Sequence, residues 1–343
     1  MDCDDTRSRQ GNGENGCPLN KLPRRRLSVA PMLDWTDRHY RFFARLITRH
    51  ARLYTEMVTT GALIHGNVPR HLEYDATELP LALQLGGSNP TELAYCTKLA
   101  FRWGYNEVNL NIGCPSERVQ QGAFGACLMA EANLVADCVK AMRDTAPIDV
   151  TVKHRIGINA IDSYDFLADF VETIAAAGCR TFIVHARNAI LHGLSPKQNR
   201  EIPPLKYDYV YRLKRDKPEL EIILNGGVRT QQEIDGHLEQ VDGVMVGREA
   251  YHNPWVMVDW DARYYGAPPN QSTRADVVMA LLPYIKRQRV AGRPLRAVTR
   301  HILGLFQGVP GARHWRRLLS DASVLKESDE GLILRALEKT LYA

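Results

Sequence analysis

Eight short apolar or β-branched runs recur along the chain, and their regular spacing limits the folds open to it. They cover residues 27–31, 53–56, 81–85, 107–111, 150–155, 181–184, 222–225 and 243–246. Helical patterns at 90–103, 133–145 and 163–177 fill several of the intervals, and Gly- or Pro-rich breakers fill others. Alternation of strand and helix predicts a parallel sheet, and eight such units predict an α/β fold of the (β/α)8 barrel type. A doubly wound open sheet is the alternative. It requires a glycine fingerprint after the first strand, where the chain reads Pro31-Met32-Leu33-Asp34. The literal G-x-G-x-x-G at Gly11 to Gly16 follows no strand and opens no helix, so it reads as chance.

The chain has 343 residues, enough for one large domain and a smaller one. Residues 1–26 begin with a polar stretch without an apolar core, so they are expected to form a disordered tail rather than a secretory signal. The barrel is expected over 27–261. Beyond it, Pro268, Pro269, Asn270 and Gln271 read as a linker, and 262–343 as a smaller all-helical domain. No run approaches the ~18 apolar residues of a membrane helix. Seven scattered cysteines without a C-x-x-C pair argue against a disulfide framework and against a metal site, and for a reducing cytoplasm.

The net charge of +5 is mild, but its distribution is uneven. Residues 277–320 contain no Asp or Glu, yet carry Lys286, Arg287, Arg289, Arg293, Arg296, Arg300, Arg313, Arg316 and Arg317. One-sided charge over such a length favours a polyanion as partner. Gly292 and Pro294 interrupt the helical phase, so the pattern is a basic domain and not a continuous stripe. Trp315 suits either base stacking or a place in the core.

The polar residues cluster where the predicted strands end, and chemistry in a barrel gathers at those ends. Gly113 allows close backbone approach, and Pro115 holds Cys114 in an extended conformation. A thiol fixed there suits proton transfer or nucleophilic attack; its alternative is a small buried hydrophobe. Lys153 and Arg155 share one strand face, with His154 opposite. A lysine aimed into a barrel is costly unless it meets an anion or loses its proton. Gly226, Gly227 and Gly247, with the charge of Arg248, follow the seventh and eighth strands, the usual barrel phosphate site. A phosphate at the rim and a cation at the centre suit a phosphorylated planar cofactor, namely flavin mononucleotide (FMN).

The segment Asn111-Ile112-Gly113-Cys114-Pro115-Ser116 resembles the active-site loop of the tRNA-dihydrouridine synthases, flavin-dependent oxidoreductases that reduce uridines in tRNA. Pro31 to Arg38, Ser195-Pro196-Lys197 through Pro203-Pro204-Leu205, and Leu305-Phe306-Gln307-Gly308 on to Arg317 are most similar to the A-type subfamily. The resemblance covers about residues 27–340. It implies FMN over Pro31, Met32 and Leu33, with Gln84 and Lys153 at its polar edge. His185, Asn225, Gly226, Gly227, Gly247 and Arg248 are implied to hold its phosphate. NADPH is the implied reductant, binding without a dinucleotide fold of its own. Cys114 is implied to donate the proton at uracil C5, opposite hydride delivery to C6. Asn111 is expected at the base or its ribose, and Lys197, Arg200, Arg313 and Arg316 at tRNA phosphates. The implied targets are D-loop uridines 20 and 20a, extruded from the stack. Fold analogy alone leaves three other readings open: a flavin reductase of a free pyrimidine or another small molecule, a Schiff-base lyase using Lys153, and a non-catalytic RNA-binding barrel.

Overall fold

The computed structural model describes residues 25–342. The expected disordered tail therefore lies, apart from Arg25 and Arg26, outside the described residues. The eight strands are β1 Leu27–Val29, β2 Leu53–Thr59, β3 Leu81–Gly86, β4 Glu107–Ile112, β5 Asp149–Arg155, β6 Thr181–His185, β7 Glu221–Asn225 and β8 Gly243–Val246. All pairings are parallel, in the order β1-β8-β7-β6-β5-β4-β3-β2. A bridge between Ser28 and Arg52 closes the ring between β1 and β2, giving the (β/α)8 barrel that the alternation predicts. Two strand lengths depart from expectation. β1 stops at Val29, short of Pro31, which has no N–H to offer a ladder. β2 runs on to Thr59, past an irregular register between Tyr54 and Met57.

Strand alternation divides the core in two. Outward residues such as Leu83, Leu110, Val152, Phe182 and Leu224 pack under the helices, and Ala30, Tyr54, Ala82, Ile183, Ile223 and Met245 form a small apolar cluster inside the ring. His154 points outward and packs between Phe170 and Phe182. Arg25 crosses the barrel floor and pairs with Glu107 at 2.8 Å, with Glu221 at 2.7 Å and with Asp149. Burial of Glu107 opposes its charge, but Arg25 and Arg52 hold its carboxyl down at about 2.

After the short helix Trp260–Tyr265 the chain is helical, with principal helices Arg274–Val290, Arg296–Ile302, Ala312–Ser320 and Gly331–Leu341. The first two are separated where Gly292 and Pro294 interrupt the pattern. These helices pack on Arg38–Arg45, where Phe42 stacks on Tyr284 at 3.9 Å. Trp315 belongs to the core: it is fully buried, lies 4.8 Å from the Phe306 ring, and donates its Nε1–H to Ile302 O at 2.8 Å. No described helix is long and apolar enough to cross a membrane.

Candidate active site

A cleft of about 1240 Å³ opens at the C-terminal ends of the strands. Pro31, Met32, Leu33, Gln84, Asn111, Cys114, Lys153, His185, Arg200, Asn225, Gly226, Gly227, Gly247 and Arg248 all line it. Lys197 is exposed on the β6–β7 connection three residues before Arg200. Arg313 and Arg316 lie outside the cleft, both exposed and three apart on the helix Ala312–Ser320.

The loop after β4 is held at every turn. Asn111 Oδ1 accepts the Gly113 and Cys114 N–H groups at 3.1 and 3.0 Å. Arg155 Nε donates to Gly113 O at 3.1 Å, and Ala126 N to Cys114 O at 3.0 Å. The half-buried Cys114 Sγ is thereby fixed on the cleft wall, 3.5 Å from Ser116 Oγ. Cys96, Cys138 and Cys179 are buried elsewhere, and burial pushes each thiol up to about 12. Among the described cysteines, Cys114 alone lines the cleft.

Beside β4, on and after β5 and β6, cations converge. Burial first, and then the neighbouring Arg155, push Lys153 down to about 7. Burial likewise lowers Arg155 to about 9, with Arg200 and Arg187 adding to the effect. His185 is held well below its ordinary value by burial and by these same four cations. Glu201 answers part of this charge by pairing with Arg248 at 2.7 Å. A wall so composed favours an anion.

At the rim, Gly226 and Gly227 have φ of 116° and 76°, which side-chain-bearing residues rarely adopt. A Cβ at Gly226 would lie 2.5 Å from His185 Cδ2, and one at Gly227 would lie 2.6 Å from Tyr207 OH. Only glycine leaves this cradle open. Across the cleft, Leu33 is 68 % exposed. The next residue, Asp34, takes φ 63° and donates its N–H to Glu56 Oε1 at 2.5 Å.

The geometry adds residues that sequence reasoning did not assign. Arg155 braces the thiol loop; its alternation with Lys153 placed it in the barrel but could not reveal Gly113 as its partner. Arg187 ties down the β6–β7 connection through Glu201 O and Pro203 O, contacts with no sequence signal. Asn111, expected at the base or its ribose, uses its oxygen to hold the loop.

A family model described as dihydrouridine synthase matches residues 28–341. The chain belongs to the dihydrouridine synthase family. Among relatives, it is 60% identical over 298 residues to a tRNA-dihydrouridine(20/20a) synthase of Pseudomonas putida, covering 87% of this chain and 89% of that one. It is 57% identical over 318 residues to the synthase of the same name from Salmonella typhimurium, covering 92% and 96%. It is 57% identical over 314 residues to that of Escherichia coli, covering 91% of each. The dihydrouridine synthase match runs through both the barrel and the C-terminal helices, so the thiol loop and the basic helices fall within it.

Proposed function

We propose that the chain reduces the C5=C6 bond of uridines in tRNA to dihydrouridine, at positions 20 and 20a, with FMN as cofactor and NADPH as reductant. The observation that carries the reading is one cleft holding both the Cys114 thiol and a cation-lined glycine cradle. The names of the relatives supply the substrate and its positions.

The residues fit FMN: the cradle at Gly226 and Gly227 would fill with any side chain, Lys153, Arg155, Arg200 and Arg248 line the same cleft, and the charge of Lys153, Arg155, Arg187 and Arg200 acts on His185 beside the cradle. Asn225, His185, Gly247 and Arg248 would hold the phosphate end of FMN, Gln84 and Lys153 would meet the polar edge of its ring, and Pro31, Met32 and Leu33 would pack against it. The chemistry that FMN supplies when bound is hydride transfer, from NADPH to uracil C6. Cys114 Sγ carries the proton for C5, and its anchored backbone keeps the sulfur on the wall facing the substrate. Lys153, near neutrality in the bare cleft, returns to the ammonium form beside an anionic edge. Arg200 and Lys197 on one side, and Arg313 and Arg316 on the C-terminal helices, receive tRNA phosphates. A reducing cytoplasm suits this substrate and the unpaired thiols.

The purified protein should be yellow and should bleach with NADPH, and mass spectrometry should find dihydrouridine at positions 20 and 20a of tRNA from a strain lacking it. Cys114→Ala should keep flavin and bleaching yet lose uridine reduction about 100-fold or more. Uridine reduction by Cys114→Ala at the normal rate overturns the acid assignment, and colourless protein that takes up no FMN overturns the reading.

A further inference from the structure

A line of hydrogen bonds runs through the barrel interior from its floor to the loop that carries Cys114. On the floor the fully buried Glu107 accepts from Arg25 Nε at 2.8 Å, Tyr54 OH at 2.7 Å and Thr151 Oγ1 at 2.7 Å. Thr151 Oγ1 accepts from Asn109 Nδ2 at 2.8 Å, and Asn109 Oδ1 from Gln84 Nε2 at 2.8 Å. Gln84 Oε1 accepts from Asn111 Nδ2 at 2.9 Å, and Asn111 Oδ1 ends the line on the Gly113 and Cys114 N–H groups. Gln84, Asn109 and Thr151 are register neighbours on β3, β4 and β5, and all three are buried.

Every link points the same way, for a chemical reason. An ionised carboxylate only accepts, so the Thr151 hydroxyl spends its proton on Glu107 and meets Asn109 with a lone pair. An amide that donates at one end of such a line accepts at the other, which orients Asn109, then Gln84, then Asn111. The backbone N–H groups of Gly113 and Cys114 demand the same sense from the opposite end. Turning one amide over would set donor against donor or oxygen against oxygen in a dry interior, where unmade hydrogen bonds are expensive.

We propose that Glu107 is a positioning residue which, through Thr151 and Asn109, orients the amides of Gln84 and Asn111 so that both offer N–H donors to carbonyl oxygens of the ligands in the cleft. Asn111 has no free acceptor, because two backbone donors fill its oxygen; one Nδ2 hydrogen is left. Gln84 likewise keeps one Nε2 hydrogen beyond the line. The ligand edge selected is therefore a carbonyl edge, as in a pyrimidine-dione, and an amino-bearing edge meets donor against donor. This inference rests on the reading that the cleft holds flavin and uracil.

Thr151→Val tests it, because the substitution keeps the shape, deletes the hydroxyl and leaves Glu107 with both arginines. In flavin-free protein the side-chain NH2 signals of Asn109 and Gln84 should exchange with water about tenfold faster in the variant than in wild type. With flavin and tRNA, kcat should fall about tenfold at unchanged KM for tRNA. Thr151→Ser should restore both, which a merely structural defect would not predict. Thr151→Ala is read in the same way should the valine variant not fold. Exchange and kcat both within about twofold of wild type overturn the proposal. Wild-type protein that takes up no flavin overturns the functional reading instead, and the exchange measurement on flavin-free protein separates the two failures.

Discussion

Arg300 and Asp37 form an ion pair that ties a C-terminal helix to the loop leading from β1 into the cleft. The same Asp37 carboxylate caps the helix Arg38–Arg45, accepting the His39 and Tyr40 N–H groups at 2.9 and 3.1 Å, and lies 3.0 Å from His301 Nε2. Two residues earlier, Trp35 stacks on Tyr251 at 4.5 Å. The basic helices and the loop beneath the cleft are thus mechanically joined.

That junction makes stability depend on acid. Burial alone would raise the Asp37 carboxyl, but His301 holds it well below the usual carboxylate range. A depressed carboxylate stabilises the fold above its unfolded value of about 3.9, and the contribution fades as pH falls below that value. Asp37→Asn should therefore cost about 2 kcal/mol at pH 7. Urea unfolding at pH 7 and at pH 3 checks this: the gap between wild type and variant should narrow at pH 3, and a gap independent of pH would exclude the ion pair as its source.

The Lys153 ammonium, by contrast, costs stability, although the pH slope has the same sign. Its folded value is lowered to about 7, so above that pH the unfolded chain binds more protons and stability rises between pH 7 and about 10. Lys153→Met should make the flavin-free protein more stable at pH 6 by about 2 kcal/mol, with the advantage gone by pH 10. It should also weaken FMN binding. Binding of FMN to wild type at pH 8 should take up part of a proton, seen as a dependence of calorimetric heat on buffer ionisation enthalpy. No proton uptake would mean that the Lys153 amine does not meet the anion.

Gly226→Ala carries both a strained φ and a contact at 2.5 Å with His185. It should lower stability by about 2 kcal/mol or more and reduce FMN occupancy of the purified protein. Flavin absorbance per protein is the measure; a variant that is fully yellow and equally stable would show that the rim shifts freely.

Arg313 and Arg316 should contribute through charge. Replacing both with Ala should weaken tRNA binding and lower the slope of log affinity against log salt by about 2, with flavin content as the control. An unchanged slope would move the RNA path away from this helix.

The barrel was legible because each strand announces itself locally. Residues 81–85 form a short, mostly apolar run and 107–111 alternate polar with apolar, and the breakers that end such runs are local too. The glycines at 226 and 227 and the pair Lys153 and Arg155 were legible for the same reason, since position at a strand end and alternation are properties of neighbouring residues. Trp315 was not: sequence allowed it to stack on a base or to fill the core, and its burial against Phe306 depends on how helices pack.

By itself, the sequence determined the number of strands, the shared face of Lys153 and Arg155 on the fifth, and the presence of a thiol, an inward cation and a glycine rim at strand ends. Only the tertiary structure decided which of these groups meet. Arg25 reaches Glu107 across 82 positions of sequence, and Arg155 reaches Gly113 across 42. The physical reason is that secondary structure follows from short-range backbone preferences, whereas charge pairing and hydrogen-bond direction inside the ring follow from closure. Closure brings strands distant in sequence to within one hydrogen bond of each other.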